Sequence, residues 1–371
     1  MERNTAIDVV KCFGVFLVVC LHTVTYSFNW QDSEHISFII SVFPRWVIPF
    51  FFIVSGYFFG QKIINRNNSK AYFKKYLFKL IGLFATWYLF YLIYDLFLQV
   101  VLAIHMGLDI KTELIQYVKG FVNIDALYYG EGMTSYHLWF LTALIWSICI
   151  LYVSIRLNKL KMLLIVAGIL NIIGLFGQTY SSIFYLPVQT RDALFFGMLY
   201  TTLGCYFAIH YDWIMQKVKK TKSSTFVYLF LLFSLIQLVE MAITVTVLDA
   251  VRSFGDYYLI TAPLTISIFI ITLKNTTILQ SSVVSKVGKN AVGIYVSHLF
   301  IISVMTLFIN FVGLDYLRSN ILFNLIFVVV IFITSYYFFI LFNTVLFRIK
   351  LIYIEQRNYK QMTRTNKNNA I

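Results

Sequence analysis

The chain has 371 residues, 60% of them hydrophobic and only 12% charged, with a mean hydropathy of +0.78. A soluble domain carries about 25% charged residues, so a water-soluble fold is excluded and the bilayer is the natural solvent, crossed by helices of roughly 20 apolar residues. The net charge of +14 does not signal nucleic acid, because the basic residues sit in short segments between apolar runs, the arrangement that sets membrane topology.

In chain order the apolar stretches fall near 7–28, 36–60, 77–104, 137–155, 162–178, 192–210, 225–248, 256–273, 291–312 and 321–347. The first has no small-residue cleavage site after it and is read as a retained helix, not a removed signal. The third is long enough to tilt or bend. Placing the N-terminus inside and alternating puts 23 of the 30 basic residues on the inner side and six outside, with Lys11 inside the first helix. Such a bias favours an even number of spans with both ends inside. The expected architecture is therefore an all-α integral membrane bundle of about ten transmembrane helices in the plasma membrane, with both termini cytoplasmic. Residues 1–348 form the membrane domain, and the basic tail at 349–371 is expected to be disordered. No internal repeat is visible, and nothing in the sequence sets an oligomeric state. Cys12, Cys20, Cys149 and Cys205 all lie in apolar runs at spacings that suggest neither a metal site nor disulfides.

Ionisable groups inside a span are costly and so mark candidate functional residues. The first helix holds Asp8, Lys11 and His22. Lys11 and His22 are 11 residues apart, which brings them to within about 20° of the same face and separates them by about 16 Å. Asp8, three residues before Lys11, is close enough to pair with it. Spacing alone leaves two readings open: a catalytic stripe, or an interfacial ion pair below a histidine satisfied in the core. Asp95 and Glu240 are isolated acids within spans and need polar neighbours. Gly56 would let another helix approach closely.

Several segments resemble membrane acyltransferase family 3, in the family's order. Asn4–Thr23 is similar to its opening, with an Ile-Asp pair, a basic residue and a His eleven positions on. Pro49–Tyr57 resembles the second-helix motif ending in Ser55, Gly56 and Tyr57. Phe73–Lys79 followed by Trp87 resembles the basic entry to the third helix. His137–Leu141 resembles the Trp-Phe-Leu start of a middle helix, and Gly293–His298 the late Tyr-x-x-His motif. Lysine stands at 11, 74, 75 and 79 where the family often has arginine, which keeps the charge but loses the bidentate fork. The proline often found early in the third helix is missing, and with no hydrolase-like segment read after the last helix, transfer is expected to be completed here or by a separate partner.

The resemblance implies an O-acyltransferase that moves an acyl group, typically acetyl from cytoplasmic acetyl-CoA, to a hydroxyl of a cell-surface or exopolysaccharide glycan, with no metal. In that reading His22, Lys11 and Asp8 are catalytic. His22 would act as base or as acyl carrier. Lys74, Lys75, Lys79, Tyr295 and His298 bind the donor, the last two at a depth nearer Lys11 than His22. Arg45, His137 and Trp139 contact the acceptor, while Ser55, Gly56 and Tyr57 have no assigned role. The membrane lipids and the two substrates are the expected partners. A transporter or flippase of a glycan or its precursor is the alternative, although transporters often show internal repeats. The acceptor's identity and the acyl chain length are not legible.

Overall fold

The computed structural model describes residues 3–27, 39–64, 68–121, 128–130, 134–248, 255–280 and 282–368. Two basic residues used in the charge count, Arg66 and Arg252, lie outside them. Among the described residues all regular structure is helical. The chain runs through α1 (Thr5–Ser27), α2 (Val47–Ile64), α3 (Ser69–Met106), α4 (Ile110–Phe121), α5 (Trp139–Arg156), α6 (Leu160–Leu175), α7 (Met198–Ile209), α8 (Tyr211–Lys219), α9 (Ser223–Thr246), α10 (Thr261–Lys274), α11 (Val283–Lys289), α12 (Ala291–Phe311) and α13 (Ile321–Asn368). Large apolar side chains such as Phe97, Ile165, Leu231 and Phe308 face outward, as lipid-facing residues of a multi-pass membrane protein do.

Each of the ten apolar stretches falls on helix, but fewer have the length of a span. Seven helices among the described residues are long and apolar enough to cross a membrane, or eight if the pair Ala193–Ile209 and Tyr211–Lys219, bent by 84°, counts as one. Helices α6 and α10 have 16 and 14 residues, hence lengths of about 24 and 21 Å, short of the roughly 30 Å hydrocarbon core. Residues 349–368, expected to be disordered, continue α13 as helix. The segment contains neither Gly nor Pro, the two residues that would break a helix.

Three close approaches hold the centre. Gly56 on α2 faces the backbone of Thr201 on α7, where an added Cβ would come within 1.9 Å of the carbonyl oxygen; Gly204 meets Ile53 in the same way. Only a residue without a side chain lets two backbones come so near. At the start of α1, Gly288 on α11 abuts the Asp8 carbonyl. The Thr5 amide donates to the Thr276 carbonyl at 2.9 Å, and the Asn4 amide group to the Thr272 carbonyl at 2.9 Å.

The two isolated acids serve the fold. Asp95, fully buried, accepts from the Tyr117 hydroxyl at 2.6 Å and the Thr134 amide at 3.3 Å, tying α4 and the segment before α5 to α3. Glu240 accepts from the Leu259 and Ile260 amides at 2.7 and 3.1 Å and from the Tyr180 hydroxyl at 2.7 Å. It thereby holds the two amides of the turn that leads into α10.

Candidate active site

His22 lies nearly five turns into α1. Its Nδ1 is 3.0 Å from the Tyr136 hydroxyl, which is carried by a short 3-10 turn (Tyr136–Leu138) before α5. Its ring is 5.2 Å from that of His298 on α12, and His298 is 5.1 Å from His137. His298 is fully buried and donates from Nδ1 to the Tyr295 carbonyl at 2.6 Å. His137, 1% exposed, donates from Nε2 to the Val296 carbonyl at 3.3 Å, and its own carbonyl accepts from the Tyr295 hydroxyl at 2.5 Å. Carbonyl oxygens only accept, so these bonds set both tautomers. They leave His298 Nε2 and His137 Nδ1 as buried acceptors with no hydrogen-bond partner among the described residues.

The depth expected for Tyr295 and His298 is corrected by this arrangement. They stand beside His22, not beside Lys11. The reason is α11: Gly288, not Ala291, is level with Asp8, so α12 starts about one layer deeper than a count from its own first residue implies.

His22 opens onto a small cavity of about 80 Å³ shared with Arg45, Trp139, Arg191 and Asp256. Arg45 donates from Nη1 to Asp256 Oδ1 at 2.9 Å, and Arg191 Nη1 is 3.4 Å from Asp256 Oδ2. The Arg191 guanidinium lies 5.3 Å from the centre of the Trp139 ring, a cation–π distance. His137 and Tyr295 also line this space. Beside Arg191, Asp192 accepts from the Phe195 amide at 2.9 Å and the Tyr128 hydroxyl at 2.8 Å.

A second cavity, about 890 Å³, opens where α1 begins and α2 ends. Among the described residues, Arg3, Lys62, Lys75, Lys79 and Lys289 line it against a single carboxylate, Asp8, with tyrosines that include Tyr57, Tyr72 and Tyr211. Asp8 is shared by Arg3 at 2.7 Å and Lys11 at 2.8 Å. Lys75 and Lys79 are four apart on α3 and so share a face. Lys74 is turned by about 100° from Lys75, is exposed, and is not among the lining residues; nor is Lys11. Ser55 hydrogen-bonds the Phe51 carbonyl of its own helix at 2.7 Å. Sequence reasoning missed Tyr136, Arg191 and Asp256. Their one signal was position, each at the edge of an apolar stretch.

Among the described residues no group of three or more His, Cys, Asp or Glu could hold a metal ion. The two cavities flank one helix: Asp8 lines the first and His22 the second, 14 residues apart, or about 21 Å. That arrangement suits chemistry on two substrates arriving from opposite ends.

Comparison with known proteins agrees with a membrane transfer enzyme. A family model described as an acyltransferase domain matches residues 4–340. An amino-acid racemase of Enterococcus faecalis is 27% identical over 220 residues, covering 55% of this chain and 28% of the racemase. A serine/alanine racemase of Enterococcus gallinarum is 26% identical over 252 residues, covering 64% of this chain and 32% of that protein. The chain thus spans under a third of the length of these curated relatives. No solved structure matches. With the family model covering nearly the whole membrane bundle, the chain belongs to acyltransferase family 3.

Proposed function

We propose that this chain is an O-acyltransferase of the plasma membrane, with both termini cytoplasmic, that moves an acetyl group from acetyl-CoA to a hydroxyl of a surface or exopolysaccharide glycan. The observation that carries this reading is the pair of cavities on α1, one rimmed by five basic residues and one holding His22. The basic cavity faces the cytoplasm and takes the CoA phosphates on Lys75, Lys79, Arg3 and Lys289, as phosphate binding favours charge-assisted hydrogen bonds. The acyl end reaches along α1 towards His22. The acceptor enters the smaller cavity from the other side.

In the transfer step, Nδ1–H of His22 donates to Tyr136, leaving Nε2 to take the proton of the acceptor hydroxyl. The oxygen attacks the thioester carbonyl carbon, a C–O bond forms, the C–S bond breaks, and the thiolate recovers the proton as free CoA. A route through an acyl-imidazole forms and breaks the same bonds in two steps. Tyr295 and His298 hold the ring of His22 and the turn carrying His137, while Trp139 and Arg45 meet the acceptor. Lys11 holds Asp8 at the mouth of the donor site.

The test is a labelled acetyl-CoA assay on membranes carrying wild type or His22→Ala. Wild type should label surface glycan, with a gain of about 42 mass units per modified sugar, and the variant should lose about 10³-fold of the rate, within the range for a general base. Equal labelling by both would remove His22 from the chemistry. No labelling by either would favour a transporter.

A further inference from the structure

Between the apolar helices α7 and α9 the chain turns by 84° and runs through α8 before entering the bundle again at Ser223. A helix set nearly at right angles to its apolar neighbour lies along the membrane surface, the usual place of a short amphipathic segment. Tyr211, the first residue of α8, lines the wide cavity, so α8 lies on the face of the bundle where that cavity opens. Ile214 belongs to the core, and Tyr211, Met215 and Val218 pack against it; their spacing makes them one stripe of the helix. Lys274 on α10 pins the far end, donating to the Val218 carbonyl at 2.8 Å and to the Thr221 carbonyl. The opposite stripe carries Trp213, Lys217 and Lys220, all exposed, with exposed Lys219 and Lys222 close by in the chain. Trp213 is 52% exposed, and Lys217 Nζ lies 4.2 Å from the centre of its ring, a cation–π distance. Among the described residues none of these four lysines forms an ion pair.

From this we infer that α8 and the turn after it seat anionic phospholipid headgroups, with the lipid phosphates on Lys217, Lys219, Lys220 and Lys222 and the Trp213 indole in the headgroup layer. Two features of the surface match that occupant. Ammoniums at a membrane face attract anionic headgroups, and an indole with one polar edge belongs at the boundary between water and acyl chains. The surface is separate from the transfer chemistry, because none of these five residues lines either cavity. The inference therefore does not depend on the acyl-transfer reading.

The experiment titrates the purified full-length protein in neutral detergent micelles with phosphatidylglycerol, phosphatidylcholine or soluble glycerol phosphate, and follows the thermal midpoint. Phosphatidylglycerol should raise the midpoint at a concentration about tenfold below that at which phosphatidylcholine does, and glycerol phosphate should leave it unchanged. Lys217→Gln combined with Lys220→Gln should weaken the response to phosphatidylglycerol about tenfold, as expected for two lysines removed from an anionic surface. Lys217→Arg combined with Lys220→Arg should keep the response. Lys111→Gln combined with Lys119→Gln, which removes the same charge from α4, should also keep it. If the first glutamine pair lowers the midpoint by itself, the concentration dependence of the shift still reads the affinity. Phosphatidylglycerol brominated near the headgroup should quench the fluorescence of wild type more than that of Trp213→Phe. Equal responses to the two lipids would overturn the inference, and a response to glycerol phosphate matching that to phosphatidylglycerol would assign the surface to a free phosphate instead. Equal weakening by the two glutamine pairs, or equal quenching of wild type and Trp213→Phe, would also overturn it.

Discussion

The two cavities on α1 are built in opposite ways. Around His22 nearly every polar atom is placed by packing: the tautomers of His137 and His298 follow from backbone carbonyls, and the ring of His22 is held by Tyr136. Around Asp8 the site is wide, and its lysines come from the ends of α2, α3 and α11 on long flexible stems. The first site suits chemistry, which needs reacting atoms held in register. The second suits capture of a multiply charged ligand, for which summed charge matters more than any one position. Changes at the two ends should therefore differ in kind: kcat at the narrow site, KM and salt sensitivity at the wide one.

That contrast can be sharpened by substitution. After the loss expected for His22→Ala, the next largest effect belongs to Lys75→Ala combined with Lys79→Ala. The pair should raise the KM for acetyl-CoA about tenfold while kcat changes little, and the wild-type KM should rise with salt more steeply than that of the variant. A fall in kcat at constant KM would make these lysines part of the narrow site. Tyr136→Phe removes one hydrogen bond to His22 and should lower kcat roughly fivefold, about 1 kcal/mol, with KM for the donor unchanged. The smallest effect is expected for Lys11→Arg, which keeps the charge facing Asp8 and should stay within about twofold of wild type. Complete loss of activity in a normally inserted Lys11→Arg protein would show that Lys11 does more than hold Asp8.

The sequence disclosed part of each site. His22 and Asp8 were legible because ionisable groups are rare in apolar helices, and Lys75 and Lys79 as part of the basic cluster at the entry to the third helix. Lys74 was placed with them in the same cluster, yet among these three lysines it is the one that does not line the wide cavity. In the narrow cavity the resemblance pointed to His22, Arg45, His137 and Trp139, which line it together, while Arg191 and Asp256 were hidden. Arg45, Arg191 and Asp256 are far apart in sequence and meet only through tertiary packing, and no periodicity reports that. The depth of Tyr295 and His298 was misjudged for a related reason: the short helix α11 shifts the start of α12 relative to α1, and a short amphipathic segment leaves no trace in a hydropathy profile. The helix positions themselves followed the apolar stretches closely. The number of full spans did not, because α6 and α10 are apolar yet short.

The central claim is that donor and acceptor approach His22 from opposite ends of the bundle. Sealed vesicles of known orientation test it directly, with labelled acetyl-CoA confined to the face bearing Arg3, Lys75 and Lys79, and glycan acceptor confined to the other face. Wild type should label the acceptor across the intact membrane, and His22→Gln should not. Labelling that occurs only when both substrates share one face, or that persists in the variant, would contradict the account.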